Sequence, residues 1–270
     1  MIDPVVDLGW VQQQGGAVVL ADVRWYLDGR SGLAAYENGH LPGAVFVDLD
    51  KVLAAHGSPA EGRHPLPSPE VFAAGMAEVG IGDEHPVIAY DDAGGVIAAR
   101  LVWMLRATGH DAALLDGGLT AYTGALETAA PSRTRANFTA RPWPEARLAD
   151  IDDATSGRSV VLDARELARF RGDIEPVDPR AGHIPGARSL PCRDNVDASG
   201  RFLSVPELRK RFESVGVTDG ADVVSYCGSG VTACHNLIAL EHAGLGVGRL
   251  YPGSWSQYSS DPGRPAATGD

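Results

Sequence analysis

Sulfur and lysine are scarce in this chain of 270 residues. Its three cysteines, Cys192, Cys227 and Cys234, are too few for a disulfide framework and lack the Cys-x2-Cys spacing of metal sites. We therefore expect no bound metal and at least one free thiol in a reducing compartment. Only two of the 23 basic residues are lysines, and the excess of arginine runs along the whole chain. An arginine is thus interpreted as a ligand only where its position supports that role.

Long apolar runs and net positive charge are also missing. Without a stretch of roughly 18 apolar residues, the chain is expected to have no membrane-spanning helix and no membrane partner. A formal net charge of −12 makes nucleic acid a poor partner. The first residues include Asp3 and Asp7 instead of the basic and apolar regions of a signal peptide, so we expect a cytoplasmic protein.

The chain contains an internal repeat. Residues 18–50 and 160–191 both combine a short apolar run, an Asp-x-Arg motif, a polar stretch and a Gly-His-Leu/Ile-Pro-Gly-Ala turn. Residues 86–118 and 222–254 both have the pattern of a strand, a loop, an amphipathic helix and a second strand. Strands that alternate with helices favour an α/β fold with a mostly parallel sheet flanked by helices.

The repeat predicts two tandem domains of similar fold. We place the first at 1–126 and the second at 151–270. The segment 127–150 has three prolines and little periodicity, and is predicted to be a linker. The histidines of the two turns, His40 and His183, are expected to tie loop backbone together, because Pro and Gly already set a tight turn there.

The segment Cys-Gly-Ser-Gly-Val-Thr, residues 227–232, lies between a predicted strand and a predicted helix. In parallel α/β domains, ligands bind beyond the carboxyl ends of the strands. Small residues allow successive backbone N–H groups to turn inward, and the helix N-terminus adds positive potential. Thiols at helix N-termini have pKa values lowered to roughly 3.5–7.5. The loop therefore predicts a nucleophilic Cys227 thiolate, with hydroxyl donors from Ser229 and Thr232.

This loop has two alternative interpretations. Cys227 could be a small buried apolar residue, but the first repeat has Asp91 and no thiol at the matching place, which favours a specific role for the sulfur. A phosphatase loop would need an arginine six residues after the cysteine, where Ala233 stands. A phosphatase is therefore not expected.

Together these features resemble the two-domain rhodanese family of sulfurtransferases. The resemblance is carried by the tandem repeat, the two Gly-His turns, the Cys-Gly-Ser-Gly-Val-Thr-Ala loop and the closing Leu-Tyr-Pro-Gly-Ser-Trp-Ser-Gln-Tyr, and it covers nearly the whole chain. It implies an inactive N-terminal domain, an active C-terminal domain and a persulfide on Cys227. It implies no cofactor, a small sulfur donor (3-mercaptopyruvate or thiosulfate), and a small thiol, thioredoxin-like or cyanide acceptor.

Within the family, this loop is similar to that of the 3-mercaptopyruvate branch. Thiosulfate enzymes often carry basic residues after the cysteine, whereas Gly228 and Ser229 are uncharged and suit a monoanion. The branch also implies a relay whose members match Asp50, His64 and Ser229. Because His64 belongs to the first repeat, we expect a site at the domain interface; the alternative is a solvated loop histidine. The remaining predicted donor-binding residues of the loop are Gly230, Val231 and Thr232.

For the donor's carboxylate, the resemblance implies a clamp of two arginines. The first matches Arg169. The second should follow the pair Glu175-Pro176, where Val177 stands, and Arg180 comes three residues later. Either Arg180 substitutes or the clamp is incomplete, which leaves thiosulfate open as the donor. A non-catalytic persulfide carrier also stays open.

Overall fold

A computed structural model describes all 270 residues of the chain. They form two compact units. Unit 1 consists of Met1–Ala55, Pro67–Trp143 and Val196–Phe202, and unit 2 consists of His56–Leu66, Pro144–Asn195 and Leu203–Asp270.

Unit 1 is built on a five-stranded sheet in which every pair of strands is parallel. Its strands are β1 (Val5–Val6), β2 (Val19–Asp22), β3 (Val45–Phe46), β4 (Val87–Tyr90) and β5 (Ala112–Leu115), in the order β1-β5-β4-β2-β3. Its helices are α1 (Leu8–Gln14), α2 (Gly32–Asn38), α3 (Pro69–Glu78) and α4 (Ala99–Ala107). The strands β4 and β5 are buried along their whole length, as expected of apolar strands covered on both faces.

Unit 2 has a four-stranded parallel sheet of the same kind. Its strands are β6 (Val160–Asp163), β7 (Arg188–Ser189), β8 (Val223–Tyr226) and β9 (Arg249–Leu250), in the order β7-β6-β8-β9. Its helices are α5 (Ile151–Thr155), α6 (Leu167–Arg171), α7 (Val205–Ser214), α8 (Ala233–His242) and α9 (Ser254–Ser260). The predicted α/β fold with two parallel sheets is confirmed. None of the helices in either unit has both the length and the hydrophobicity that crossing a membrane requires.

The same buried ion pair recurs in both units and explains the repeated Asp-x-Arg motif. In unit 1, Arg24 donates to Asp22 at 2.7 Å. In unit 2, Arg165 donates to Asp163 at 2.6 Å. Each arginine also donates to the carbonyl of the glycine that opens the Gly-His turn. These bonds satisfy the buried guanidinium groups and fix the turn to the end of the strand.

The histidines of the two turns are structural, as the sequence predicts. His40 bonds the carbonyl of Tyr36 at 2.9 Å and stacks on the Tyr36 ring, with 3.8 Å between ring centroids. His183 repeats this arrangement with Phe170, at 2.8 Å and 3.7 Å. Both histidines therefore tie their turn to the preceding helix.

The compact units differ from the predicted domains at four segments, namely 56–66, 127–143, 144–150 and 196–202. The first part of the predicted linker, 127–143, belongs to unit 1: the Ala136 N–H donates to Ala77 at 2.9 Å, and the Trp143 ring packs on Phe72. This extended segment has no helical or strand periodicity, so its packing leaves no pattern in the sequence. The segment 56–66 lies within the first predicted domain but belongs to unit 2. The segment 196–202 lies within the second predicted domain but belongs to unit 1.

Candidate active site

The candidate nucleophile, Cys227, is the first residue after β8, in the loop that leads into α8. Its side chain is buried. Its backbone is anchored on both sides: the Cys227 N–H donates to Ser254 Oγ at 3.2 Å, and the Trp255 N–H donates to the Cys227 carbonyl at 2.9 Å. The closing sequence motif therefore holds the loop in place through the start of α9.

Ser254 has the unusual backbone conformation φ = 53°, the only positive φ outside glycine. Such a conformation costs of order 1–3 kcal/mol for a residue with a side chain. Ser254 is completely buried, and its hydroxyl also donates to the Tyr251 carbonyl at 2.9 Å. The backbone strain thus lies at the residue that fixes the position of Cys227.

The sulfur of Cys227 accepts a hydrogen bond from the backbone of its own loop. The Gly230 N–H lies 3.2 Å from Cys227 Sγ. Gly230 has φ = 77°, and a Cβ there would come within 2.5 Å of the Pro252 carbonyl, so only glycine fits. The thiol of Cys234 holds the other side of this peptide by donating to the Gly230 carbonyl at 3.4 Å. The loop therefore presents an N–H group to the sulfur at the N-terminus of α8.

The other loop residues lie between Cys227 and α8. Ser229 and Val231 are both buried. The hydroxyl of Thr232 hydrogen-bonds to the buried thiol of Cys192, and burial raises the pKa of Cys192 to about 12. Cys192 thus remains protonated at neutral pH and is a poor nucleophile.

Ser229 is paired with His64. The distance from His64 Nδ1 to Ser229 Oγ is 2.7 Å. His64 comes from the first repeat of the sequence, as expected, but its segment, 56–66, packs as part of unit 2. A site at the domain interface stays a prediction. Side chains of α9 hold the backbone of this segment: Gln257 Nε2 donates to the Ala60 carbonyl at 2.6 Å, and the Arg63 N–H donates to Ser256 Oγ at 3.1 Å.

Asp50, the third predicted member of the relay, lies in unit 1. It sits in a short π-helical turn, Leu49–Leu53. Its carboxylate accepts a hydrogen bond from Trp25 Nε1 at 3.0 Å. The role of Asp50 in a relay stays a prediction.

Beside the loop, arginine and acidic side chains alternate in a network of ion pairs. Arg169 donates to Glu175 at 2.6 Å and to Asp178 at 3.0 Å. Asp178 also forms an ion pair with Arg63, and Glu175 with Arg165. The carboxylates of Glu175 and Asp178 are 4% and 1% exposed, so they are shielded from water and their ion pairs are little screened.

Arg63 is the site residue that sequence reasoning missed. A Cβ placed on Gly228 would lie 2.9 Å from Arg63 Nη2 and 3.6 Å from Arg169 Nη1. Both guanidinium groups therefore face the residue that follows the thiol. The sequence signal for Arg63 is its position next to His64. In a chain so rich in arginine, this position does not by itself identify a ligand.

Arg180 does not take the place of the missing clamp arginine. Its guanidinium donates to the backbone carbonyls of Tyr258, Ser259, Asp261 and Arg264, at 2.7–3.2 Å. These bonds fix the last turn of α9 and the chain that follows it. The prediction that Arg180 binds the donor is therefore wrong in this structure.

Arg180→Gln is expected to lower the free energy of unfolding by about 2 kcal/mol, because hydrogen bonds from a charged group contribute about 1.5–3 kcal/mol. Urea denaturation measures this change. Arg158→Gln, at an exposed position shortly before β6, serves as the control. Equal stability of the two variants would show that the bonds of Arg180 contribute nothing.

A cavity of about 500 Å³ opens beside these groups in unit 2. Its lining includes His56, Ser58, Arg63, His64, Asp178 and Ser256. The cavity is large enough for a small organic anion and brings Arg63, His64 and Asp178 to one wall.

The corresponding loop of unit 1 is filled by its own carboxylate. Asp91, directly after β4, is 1% exposed. Its two oxygens accept four backbone N–H groups at 2.7–2.9 Å, from Ala93, Gly95, Ile97 and Ala98. Burial raises the pKa of Asp91, and the four donors oppose that shift by stabilising the carboxylate. This loop therefore forms an anion cradle that is already occupied.

The rhodanese-like domain family matches the chain twice, over residues 9–125 and 147–261. A probable 3-mercaptopyruvate sulfurtransferase from Pseudomonas aeruginosa is 43% identical over 94% of this chain and 93% of that protein. A putative thiosulfate sulfurtransferase from Mycobacterium tuberculosis is 42% identical over 97% and 95%. The solved structure of the 3-mercaptopyruvate sulfurtransferase from Escherichia coli is similar, with a TM-score of 0.82, 31% identity, and 94% of this chain and 99% of that one covered.

Proposed function

The chain belongs to the rhodanese family and is a sulfurtransferase, and we propose that unit 2 moves the sulfur of 3-mercaptopyruvate, through a persulfide on Cys227, to a thiol or cyanide. The observation that carries this proposal is the Gly230 N–H, which points at Cys227 Sγ from the N-terminus of α8. A group placed in this way stabilises a negative charge on sulfur. The same charge exists on the thiolate and on the persulfide.

In the first half-reaction the Cys227 thiolate attacks the sulfur of the donor. An S–S bond forms while the C–S bond of 3-mercaptopyruvate breaks. The electron pair of the broken bond goes to the donor's carbon, which gives the enolate of pyruvate. The proton of the donor's thiol ends on this carbon, so the products are pyruvate and Cys227–S–S⁻, and no oxidant is consumed.

In the second half-reaction an acceptor attacks the outer sulfur. Cyanide or a thiolate forms a bond to this sulfur, and the S–S bond breaks. Its electron pair returns to Cys227 as the thiolate, and the product is thiocyanate or a persulfide of the acceptor. The two half-reactions predict ping-pong kinetics, and a small thiol or a thioredoxin-like protein fits the acceptor role.

Unit 1 supports the proposal by analogy within the same chain. At the same point of the same fold, four N–H groups surround the Asp91 carboxylate. The fold therefore selects an anion at this position. We assign the sulfur chemistry to unit 2 and regard unit 1 as catalytically inactive, because its cradle holds no thiol.

Ser229 and His64 are assigned to proton transfer. Their 2.7 Å contact is within the reach needed for general acid–base catalysis. Cleavage of 3-mercaptopyruvate requires a proton to move from the donor's thiol to the enolate carbon. Transfer from thiosulfate releases sulfite and needs no such proton.

Ser229→Ala is therefore expected to lower kcat with 3-mercaptopyruvate by about 100-fold, at the lower end of general acid–base effects. With thiosulfate, kcat should change little. The exposed Ser214→Ala on α7 is the control and should leave both donors unaffected. Equal losses with the two donors would contradict the proton-transfer role.

Thiosulfate is the second candidate donor, because the two guanidinium groups near Gly228 can also donate hydrogen bonds to the oxygens of its sulfonate end. The identities of 43% and 42% to relatives named for different donors do not decide between them. The test is kcat/KM for both donors under the same conditions. A higher value for 3-mercaptopyruvate is expected, and a higher value for thiosulfate would replace the proposed donor.

A persulfide carrier without turnover is distinguished by its acceptor kinetics. An enzyme transfers sulfur repeatedly to cyanide or a small thiol, whereas a carrier is loaded once and waits for a protein partner. Many turnovers with a small acceptor would therefore support catalysis by unit 2. A single turnover would favour the carrier.

A further inference from the structure

We propose that Arg63 is the second arginine of the carboxylate-binding site and that, with Arg169, it determines the preference for a carboxylate-bearing donor. This inference rests on the proposed function. The position after Glu175-Pro176 carries Val177, and Arg180 is bound to backbone carbonyls. Arg63 instead lies with Arg169 beside Gly228, the residue that follows the thiol.

The backbone of Arg63 is fixed before any donor binds. Its N–H donates to Ser256 Oγ at 3.1 Å. The preceding residue, Gly62, has φ = 87°, and a Cβ there would lie 2.5 Å from the Gly253 carbonyl. The close approach of the Gly62 and Gly253 backbones therefore fixes the position of Arg63. Because Arg63 is already ordered, anion binding costs little conformational entropy at this residue.

Asp178 holds the two guanidinium groups side by side. One of its carboxylate oxygens pairs with Arg63, and the other accepts from Arg169 at 3.0 Å. Asp178 is fixed in turn, because its N–H donates to Glu175 at 3.0 Å. One buried carboxylate thus sets the spacing of both arginines.

The remaining donors of the two arginines point to the loop. Arg63 pairs with Asp178 through Nη1, and Arg169 binds its acids through Nε and Nη2. Arg63 Nη2 and Arg169 Nη1 are the atoms that face Gly228. Two N–H groups on neighbouring guanidinium groups match the two oxygens of a carboxylate.

Arg63 also lies close enough to Cys227 for the charges of the two side chains to interact. Burial lowers the pKa of Arg63, and the Cys227 thiolate raises it in opposition. A donor held between the guanidinium groups and the sulfur would have its carboxylate at one end and its reacting atom at the other. 3-Mercaptopyruvate, with a carboxylate at one end of a three-carbon chain and a thiol at the other, has this arrangement.

The charge of the network favours a monoanion. It contains three arginines and three acids, and so is neutral before the donor binds: Arg63, Arg165, Arg169, Asp163, Glu175 and Asp178. A carboxylate adds one negative charge, whereas thiosulfate adds two. Because uncompensated charge in a partly buried site is costly, the smaller excess is preferred.

The test compares 3-mercaptopyruvate with its methyl ester, which keeps the reacting sulfur and lacks the carboxylate charge. In the wild-type chain, kcat/KM should be higher for the acid. In Arg63→Gln, the value for the acid should fall about 10- to 100-fold, as expected for loss of a charged hydrogen bond, while the ester changes little. Arg63→Lys keeps the charge and the pairing with Asp178 but offers only a point charge, and should give an intermediate preference.

The control is Arg158→Gln, which should leave the acid-to-ester ratio unchanged. Equal losses of acid and ester in Arg63→Gln, or a wild-type chain that does not prefer the acid, would overturn the role of Arg63. Failure of the proposed function gives a different result, because then neither donor places sulfur on Cys227 in the wild-type chain. If Arg63→Gln does not fold, the acid-to-ester ratio of Arg63→Lys decides, and an unchanged ratio would contradict the proposal.

Discussion

Cys227→Ser is expected to lower kcat/KM by more than about a thousandfold with both 3-mercaptopyruvate and thiosulfate, as removal of a nucleophile does in other enzymes. A serine hydroxyl is not ionised at neutral pH, and its oxygen cannot become a persulfide. The Gly230 N–H would still face the side chain at this position. The loss therefore reports the chemistry of sulfur and not the binding of the donor.

The matched control is Cys192→Ser, which replaces a buried thiol in the same unit. Its pKa, raised to about 12 by burial, keeps it protonated, so sulfur transfer should continue in this variant. Thermal unfolding checks that both variants fold. Sulfur transfer that persists in Cys227→Ser, or that disappears equally in Cys192→Ser, would contradict the mechanism.

Asp91→Asn is expected to lower the free energy of unfolding by about 2–5 kcal/mol. Asparagine retains one oxygen, but its NH₂ group faces N–H groups that the second oxygen now satisfies. Each buried N–H left without an acceptor costs about 1–3 kcal/mol. The proposed chemistry does not use Asp91, so this loss of stability measures how strongly the fold holds an anion at this position.

Asp92→Asn is the control for this variant. Asp92 is adjacent and its carboxylate accepts from Tyr26 at 2.6 Å, in an exposed position. An exposed contact contributes less, so a smaller change is expected. If urea denaturation gives the same loss for both variants, the four bonds to Asp91 do not form a special cradle.

The fold could be predicted from the sequence because its signals are local and repeated. The strand β8, the loop and the helix α8 follow from a β-branched run, small residues and helical spacing. The Asp-x-Arg and Gly-His motifs mark the same bonds in both units. Two occurrences of one pattern make a chance match improbable, and this is why the architecture is confirmed.

The second arginine of the site could not be predicted, because it depends on tertiary placement. The segment 56–66 lies in the first half of the chain but belongs to unit 2, and nothing in its composition indicates this. Arg180 has the right residue type near the right place, but its guanidinium is bound by backbone carbonyls at and after the end of α9. In a chain rich in arginine, only contacts distinguish a ligand from a structural cation.

In the loop of unit 1, the sequence shows only that Asp91 stands where unit 2 has the thiol. The structure shows in addition that Asp91 is itself the anion of the cradle, whereas Asp92 is exposed and bonded to Tyr26. The two aspartates are adjacent in sequence, so only the direction of each side chain separates their roles.

The central claim is that Cys227 carries the sulfur between donor and acceptor, and a single-turnover experiment tests it most directly. Wild-type protein is mixed with 3-mercaptopyruvate without an acceptor, and pyruvate and the mass of the Cys227 peptide are followed. The predicted result is a burst of one pyruvate per chain, with one additional sulfur atom on Cys227 that cyanide removes as thiocyanate. Pyruvate that forms only when an acceptor is present, or sulfur found on Cys192 or Cys234 instead, would contradict the account.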